Sequence, residues 1–273
     1  VQLHFDAEGD GPLVVLLHGF PESARAWKRQ LPSLARAGFR AVAPDLRGYG
    51  RSPKPAGADA YVVTEVVADV VELIESMSSV PVVLVGHDWG AVAAWNLAML
   101  RPDLVCKLVI LNVPHPAAIR RELQRSTRQK VKLLYQLFFQ LPVLPELFMK
   151  LFGRMLLHRA GRFTREDTAA YRSEWRGSLT TMLHYYRAIP KSRGLLRKLF
   201  RRIDLPTLIL WGAREPVFLP AALEDLGEWA TDVRIERIAG AAHFLMADAP
   251  DEVSRLVIEF ASTPGEPTPF VRA

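Results

Sequence analysis

The residues best placed to do chemistry gather first at Gly86-His87-Asp88-Trp89-Gly90. The pattern G-x-D-x-G has the form of a nucleophile elbow with Asp where Ser is common. Upstream, Val82-Val83-Leu84-Val85 is a short apolar run rich in β-branched residues, which predicts a buried strand of a parallel sheet. Downstream, Ala91 to Ala98 has a helix-compatible composition. A strand that turns sharply into a helix leaves no room for a Cβ beside the turning residue, and two flanking glycines meet that demand. The turn would lift the Asp88 carboxylate above the strand end, next to a helix N-terminus whose dipole favours negative charge. Serine in that place would attack a carbonyl. A carboxylate is better suited to displacing a leaving group from a saturated carbon, giving an alkyl ester that water then hydrolyses. The competing reading is a helix N-cap Asp in a tight turn.

Two further groups follow in chain order. Glu215 comes after the apolar run Pro206 to Leu210, within Trp211-Gly212-Ala213-Arg214-Glu215-Pro216. His243 comes after the run Val233 to Ile238, within Gly240-Ala241-Ala242-His243-Phe244. Nucleophile, acid, histidine is the chain order of the α/β-hydrolase triad. Each candidate ends a strand, on the rim where open α/β sheets carry their sites. His243 has no use as a base toward an aspartate that is already ionised. Its work would be to activate water in the second half-reaction, with Glu215 orienting the imidazole. A third strand, Leu13 to Leu17, runs into His18-Gly19-Phe20-Pro21. The amides of Phe20 and Trp89 are candidate oxyanion-hole donors. Taken singly, His243 also reads as a buried loop histidine, Glu215 as a surface acid paired with Arg214, and residues 18–21 as a plain turn.

Positioning these groups requires alternating strands and helices. Strands are predicted over Val1 to Phe5, with a turn at Glu8-Gly9-Asp10-Gly11, and over Leu13 to Leu17, Arg40 to Ala43, Val82 to Val85, Lys107 to Leu111, Pro206 to Leu210 and Val233 to Ile238. Helices are predicted over Ser23 to Ala37 with Gly38 as its cap, Tyr61 to Met77, the stretch after the elbow, and Glu252 to Ala261. The loop Asp45-Leu46-Arg47-Gly48-Tyr49-Gly50 carries tempting charges, but a structural turn held by local pairing is the preferred reading. From about 117 to 203 no clear strand is visible, and the segment is basic and aromatic. The fold expected is therefore α/β: a mostly parallel sheet with helices on both faces, formed by residues 1–116 and 204–273, with a helical lid inserted at 117–203. Thr263 to Ala273 is Pro-rich and expected to fray.

A 273-residue chain with 49% hydrophobic and 23% charged residues is ordinary for a globular enzyme. The net charge of +6 is concentrated. Arg120, Arg121, Arg125, Arg128, Lys130 and Lys132 form one cluster, and Arg193, Arg197, Lys198, Arg201 and Arg202 form another. Such runs are usually solvated faces, and no nucleic-acid motif accompanies them, so no nucleic-acid partner is expected. With Cys106 as its single cysteine the chain has no intrachain disulfide and no Cys-based metal site. Neither a metal nor an organic cofactor is expected. No leader and no apolar run of transmembrane length is legible, which sets the expectation of a cytoplasmic monomer or homodimer without membrane insertion.

Four motifs in order, His18-Gly19-Phe20-Pro21, Asp45 through Ser52, Gly86 through Ala91 and Asn112-Val113-Pro114-His115-Pro116, resemble the soluble epoxide hydrolases of the α/β-hydrolase fold over nearly the whole chain. The resemblance implies a helical lid with two tyrosines whose hydroxyls hold the epoxide oxygen and protonate it as the ring opens. Tyr135, in Leu134-Tyr135-Gln136, matches the first site, and Tyr186, directly before Arg187, matches the second. It implies an apolar epoxide and water as substrates, a vicinal diol as product, and a pocket wall that includes Pro21, Phe138 and Phe139. The sequence departs from the family pattern at Glu215, where Asp is usual.

Three other readings stand beside this one. Haloalkane dehalogenases use the same Asp nucleophile and a following Trp, but usually have an Asn where this chain has Phe20. Fluoroacetate dehalogenases place Arg after the nucleophile, where this chain has Trp89. A non-catalytic ligand-binding protein on this fold would be expected to have lost Asp88 or His243, and both are present.

Overall fold

The computed structural model describes residues 2–192 and 200–263. Seven strands form one sheet: β1 (Phe5–Glu8), β2 (Leu13–Leu17), β3 (Arg40–Pro44), β4 (Val82–His87), β5 (Val105–Leu111), β6 (Thr207–Gly212) and β7 (Val233–Ile238). Their spatial order is β1-β3-β2-β4-β5-β6-β7. The β1–β3 pair is antiparallel, and every other pair is parallel.

Alternation within the strands builds two cores. Val15, Leu17, Leu84, Leu108 and Ile110 enter one buried cluster, and Val14, Leu16, Val83, Val85, Val109 and Leu111 enter the other. Strands apolar on both sides need helices on both faces. On the second face these include α1 (Gln30–Arg36) and the C-terminal helix Pro250–Ser262. On the first lie α2 (Val63–Met77) and α3 (Trp89–Leu100).

Two sequence expectations change. The first strand lies at Phe5–Glu8, not at residues 1–5. It is a mostly exposed edge strand, so no apolar alternation marks it, and its register is set by pairing Phe5 with Pro44 and Glu8 with Ala41. The helix expected over 23–37 is split into a 3₁₀ turn, Ala24–Trp27, and α1. Pro32 explains the split: it has no N–H, and a helix accepts it only in the first turn, so α1 must begin close upstream.

Between β5 and β6 runs the helical insertion expected from composition: α4 (Pro116–Arg125), α5 (Thr127–Lys132), α6 (Tyr135–Phe138), α7 (Leu144–Ala160), α8 (Arg165–Glu174) and α9 (Leu179–Arg187). Arg193, Arg197 and Lys198 of the second basic cluster lie outside the described residues, as do residues 264–273 of the tail. Side chains of the insertion hydrogen-bond to backbone carbonyls at strand ends. Trp175 Nε1 donates to Pro21 O at 2.7 Å, Thr181 Oγ1 to Gly48 O at 2.6 Å, and the Tyr185 hydroxyl to Arg47 O at 2.9 Å.

The Asp45 loop is structural, as expected. Asp45 accepts from the Ala24 and Arg51 amides at 2.9 Å each. Arg47 reaches farther than local pairing: its Nε and Nη2 donate to the two oxygens of Asp69 on α2 at 2.5 and 2.6 Å. Both side chains are buried. Removing one member of a buried ion pair leaves an uncompensated charge, so Arg47→Met is expected to destabilise the fold by about 3–5 kcal/mol. Urea unfolding monitored by tryptophan fluorescence measures it. A loss below about 1 kcal/mol would mean that the pair does not brace the loop.

Candidate active site

The elbow forms as its glycines require. Asp88 takes φ 49° and ψ −117°, a conformation rare for a residue with a side chain, between the end of β4 and the start of α3. Such a backbone costs about 1–3 kcal/mol and persists only where its surroundings enforce it. The fit is tight: a Cβ on Gly90 would sit 2.2 Å from Leu17 O, and one on Gly19 would sit 2.2 Å from Asp88 Cβ.

The two carboxylate oxygens of Asp88 face different partners. Oδ1 accepts the Phe20 amide at 2.8 Å. Oδ2 lies 3.6 Å from His243 Nε2. On the far side of the ring, His243 Nδ1 is 2.8 Å from Glu215 Oε2. The other Glu215 oxygen accepts the Val217 and Phe218 amides at 2.5 and 3.3 Å. Glu215 is therefore a buried partner of the imidazole and is not paired with Arg214. Its extra methylene is taken up by a loop that wraps back onto Oε1. Trp89 is the first residue of α3, so its amide has no carbonyl one turn back along the helix.

Electrostatics follow from this line of groups. Burial opposes the charged imidazole, but Glu215 and Asp88 on its two sides hold His243 well above its ordinary value. Burial alone would raise Asp88, and the adjoining His243 reverses this and holds it below the usual carboxylate value. In the resting site Asp88 is an anion beside a charged imidazole.

A cavity of about 640 Å³ opens at Asp88. Tyr135 and Tyr186 line it, with Trp89, Val92, Val113 and Ile119 among the other walls. Their rings lie 6.1 Å apart, and Trp89 stands 5.1 Å from Tyr186. Burial pushes both hydroxyls above their usual range, and the Asp88 charge acts in the same direction. They therefore stay O–H donors at neutral pH. Tyr185 also lines the cavity, but its hydroxyl is committed to Arg47 O. Arg187 ties the two tyrosine helices together, donating to Phe139 O at 3.2 Å and Leu141 O at 2.7 Å, with Glu146 2.9 Å from its guanidinium.

Three expected wall residues are not among those lining the cavity. Phe139 is buried between the rings of Phe20 and Tyr186, behind the surface. Phe138 packs on Phe148. Pro21 is buried under Trp175. Phe139 stands one turn beyond Tyr135 and meets its ring at 5.5 Å, so sharing a helix face with Tyr135 did not decide which ring lines the cavity.

The family of the alpha/beta hydrolase fold matches residues 12–250. The chain is 34% identical to AB hydrolase superfamily protein YfhM of Bacillus subtilis, over 95% of this chain and 94% of that one. It is 32% identical to epoxide hydrolase 3 of Xenopus tropicalis, over 95% and 74%. Among solved structures it is similar to an epoxide hydrolase from Bacillus megaterium, with a TM-score of 0.88 and 33% identity over 96% of this chain and 97% of that one. The chain belongs to the epoxide hydrolase family of the α/β-hydrolase fold.

In this epoxide hydrolase two residues that lie within the sequence motifs but were given no role there support His243. Its carbonyl accepts Asn112 Nδ2 at 2.8 Å and faces His87 Nε2 at 2.9 Å. Asn112 follows the last residue of β5 with φ 62°, and besides its motif the local sign of its role is an Asn directly after an apolar strand.

The sign of the His243 shift sets its pH behaviour. A raised pKa contributes stability that is complete below the unfolded value, about 6.5, and is lost as pH rises through the folded value. The wild-type imidazole is expected to titrate well above 6.5 by heteronuclear NMR. Glu215→Gln should lower it by at least about one unit and flatten the alkaline loss of stability. An unchanged titration would remove Glu215 as the partner that holds the charge.

Proposed function

We propose that Asp88 opens an epoxide as a nucleophile, that Tyr135 and Tyr186 hold and protonate the ring oxygen, and that His243 with Glu215 drives hydrolysis of the resulting ester. The observation that carries this reading is the division of Asp88 into two oxygens with different neighbours. Oδ1 sits against the Phe20 amide, and Oδ2 lies 3.6 Å from His243 Nε2. Residues 117–203 act as a lid in this reading, with residues 1–116 and 204–273 as the core that carries the nucleophile, acid and base. A relative's bound ligand agrees in chemistry: the Bacillus megaterium enzyme is described in complex with its product, a naphthyloxypropanediol.

In the first step Oδ2 attacks a ring carbon, the carbon–oxygen bond breaks, and the departing oxygen takes a proton from a tyrosine hydroxyl. Two phenols beside an apolar cavity suit this task, because each donates as an acid and is regenerated. Esterification removes the Asp88 charge next to His243, so the charged ring loses one of its two stabilising anions, releases its Nε2 proton to the tyrosinate left by ring opening, and becomes a neutral base. Water then gives its proton to Nε2 and attacks Asp88 Cγ. Oδ1 carries the developing oxyanion at the Phe20 and Trp89 amides, the ester bond breaks as Nε2 gives its proton to the departing diol oxygen, and the new Asp88 carboxyl proton then passes to Nε2, restoring the carboxylate and the charged ring. The apolar walls favour an aliphatic or aromatic epoxide.

Two outcomes are expected. His243→Gln should accumulate the ester, so intact mass after mixing with styrene oxide should rise by one whole epoxide, mapping to Asp88. An adduct formed only from a bromoalkane, with halide released, would move the assignment to dehalogenation. Separately, Tyr186→Phe should slow formation of the ester by about 10²-fold or more in single-turnover quench experiments, with little change in its hydrolysis. Equal slowing of both steps would count against a role in ring opening.

A further inference from the structure

The outer face of the lid is apolar where solvent-facing helices are usually polar. In α7 the stripe Glu146, Met149, Gly153 and Leu157 faces inward and is buried. Residues two places away along a helix sit about 200° around it, so Leu144, Leu147, Leu151 and Met155 form the opposite, outward stripe. They are exposed, Leu151 by 65% and Leu147 by 49%. Val131, Leu134, Leu137 and Leu141 extend the exposed face along α5 and α6, and Val143, 70% exposed, bridges the two. Phe138 joins the two helices by packing on Phe148 at 5.6 Å. Single exposed leucines are ordinary on a protein surface, but a contiguous apolar face marks an interaction site.

Charge identifies what the face meets. Between Glu122 and Glu166 the chain carries nine Lys and Arg and one carboxylate, Glu146. Glu146 is already paired with Arg187. Lys150 and Arg154 flank the outward stripe of α7, and Lys130 flanks that of α5 and α6. A second copy of the chain docked face to face would set these cations against each other. An anionic lipid surface offers acyl carbon for the leucines and phosphate for the rim, as interfacial helices with basic flanks require. No helix among the described residues is long and apolar enough to cross a membrane, so contact would be peripheral.

We infer that the outward face of the lid, from Val131 to Met155, docks this protein on an anionic lipid surface. A side pocket of about 230 Å³ gives the docking a direction. Leu134, Leu137 and Lys130 of the exposed face form its outer wall, while Leu123, Leu133, Gln136 and Ile189 are shared with the cavity at Asp88. Docking would turn this pocket toward the bilayer, a route for epoxides dissolved in lipid. That part rests on the proposed epoxide hydrolysis.

The test is co-sedimentation of the full chain with phosphatidylcholine vesicles containing or lacking phosphatidylglycerol, read without turnover. Preferential binding to the anionic vesicles is expected, weakened by salt and reduced about tenfold in the double variant Leu147→Glu, Leu151→Glu. The milder pair Leu147→Ser, Leu151→Ser and the rim pair Lys150→Glu, Arg154→Glu should also weaken it. All three variants should turn over styrene oxide in vesicle-free buffer as the wild type does. Absence of anionic preference, or wild-type binding by the leucine variants, would overturn the inference. So would a vesicle-free dimer, seen by analytical ultracentrifugation, that the leucine variants dissociate. If binding is lost but hydrolysis of a bilayer-dissolved long-chain epoxide is unchanged, the side-pocket route is overturned while docking stands.

Discussion

A single strained turn bears the whole site. Asp88 can hold φ 49° only because β4 ends beside β2, because Gly90 lets α3 start against Leu17, and because Gly19 lets the β2 loop come close to the carboxylate. The same closeness brings the Phe20 amide to Oδ1. If the turn relaxed, the carboxylate would lose its amide partner and its alignment with His243 together. The position of the carboxylate and that of its amide partner are thus two aspects of one backbone constraint, and its energetic cost is carried by the packed parallel sheet beneath.

The histidine side of the site obeys a complementary logic. Glu215 and Asp88, one on each side of the ring, hold His243 well above its ordinary value against the effect of burial. In the proposed reaction, a site arranged this way would change its own acid–base state on loss of the Asp88 charge. The loop carrying His243 is fastened through its backbone by Asn112 and faced by His87, so the ring can exchange a proton while its position is held.

The helical insertion faces two environments. Its inner side offers Tyr135 and Tyr186 to the cavity and sends Trp175, Thr181 and Tyr185 to carbonyls of the strand-end loops. Those carbonyl contacts hold the tyrosines over Asp88 without drawing on the tyrosine hydroxyls themselves. Its outer side leaves leucines exposed between basic residues. Both arise from helices that carry apolar residues on two sides, of which the core buries only one.

The sequence by itself determined the parallel sheet, the helical insertion, the elbow and the order of Asp88, Glu215 and His243, because each is a local matter: apolar runs of strand length, glycines at a forced turn, polar groups at strand ends. It also distinguished Tyr186 from Tyr185 through resemblance, while the physical distinction, a hydroxyl committed to Arg47 O, needed the packed loop. Tertiary structure alone decided that Glu215 reaches His243, since that meeting spans 28 residues and two strand ends. It also moved Pro21, Phe138 and Phe139 out of the cavity wall and brought in Val92, Val113 and Ile119. Which side of a helix meets a cavity depends on how neighbouring elements cross, and those contacts join residues far apart in the chain.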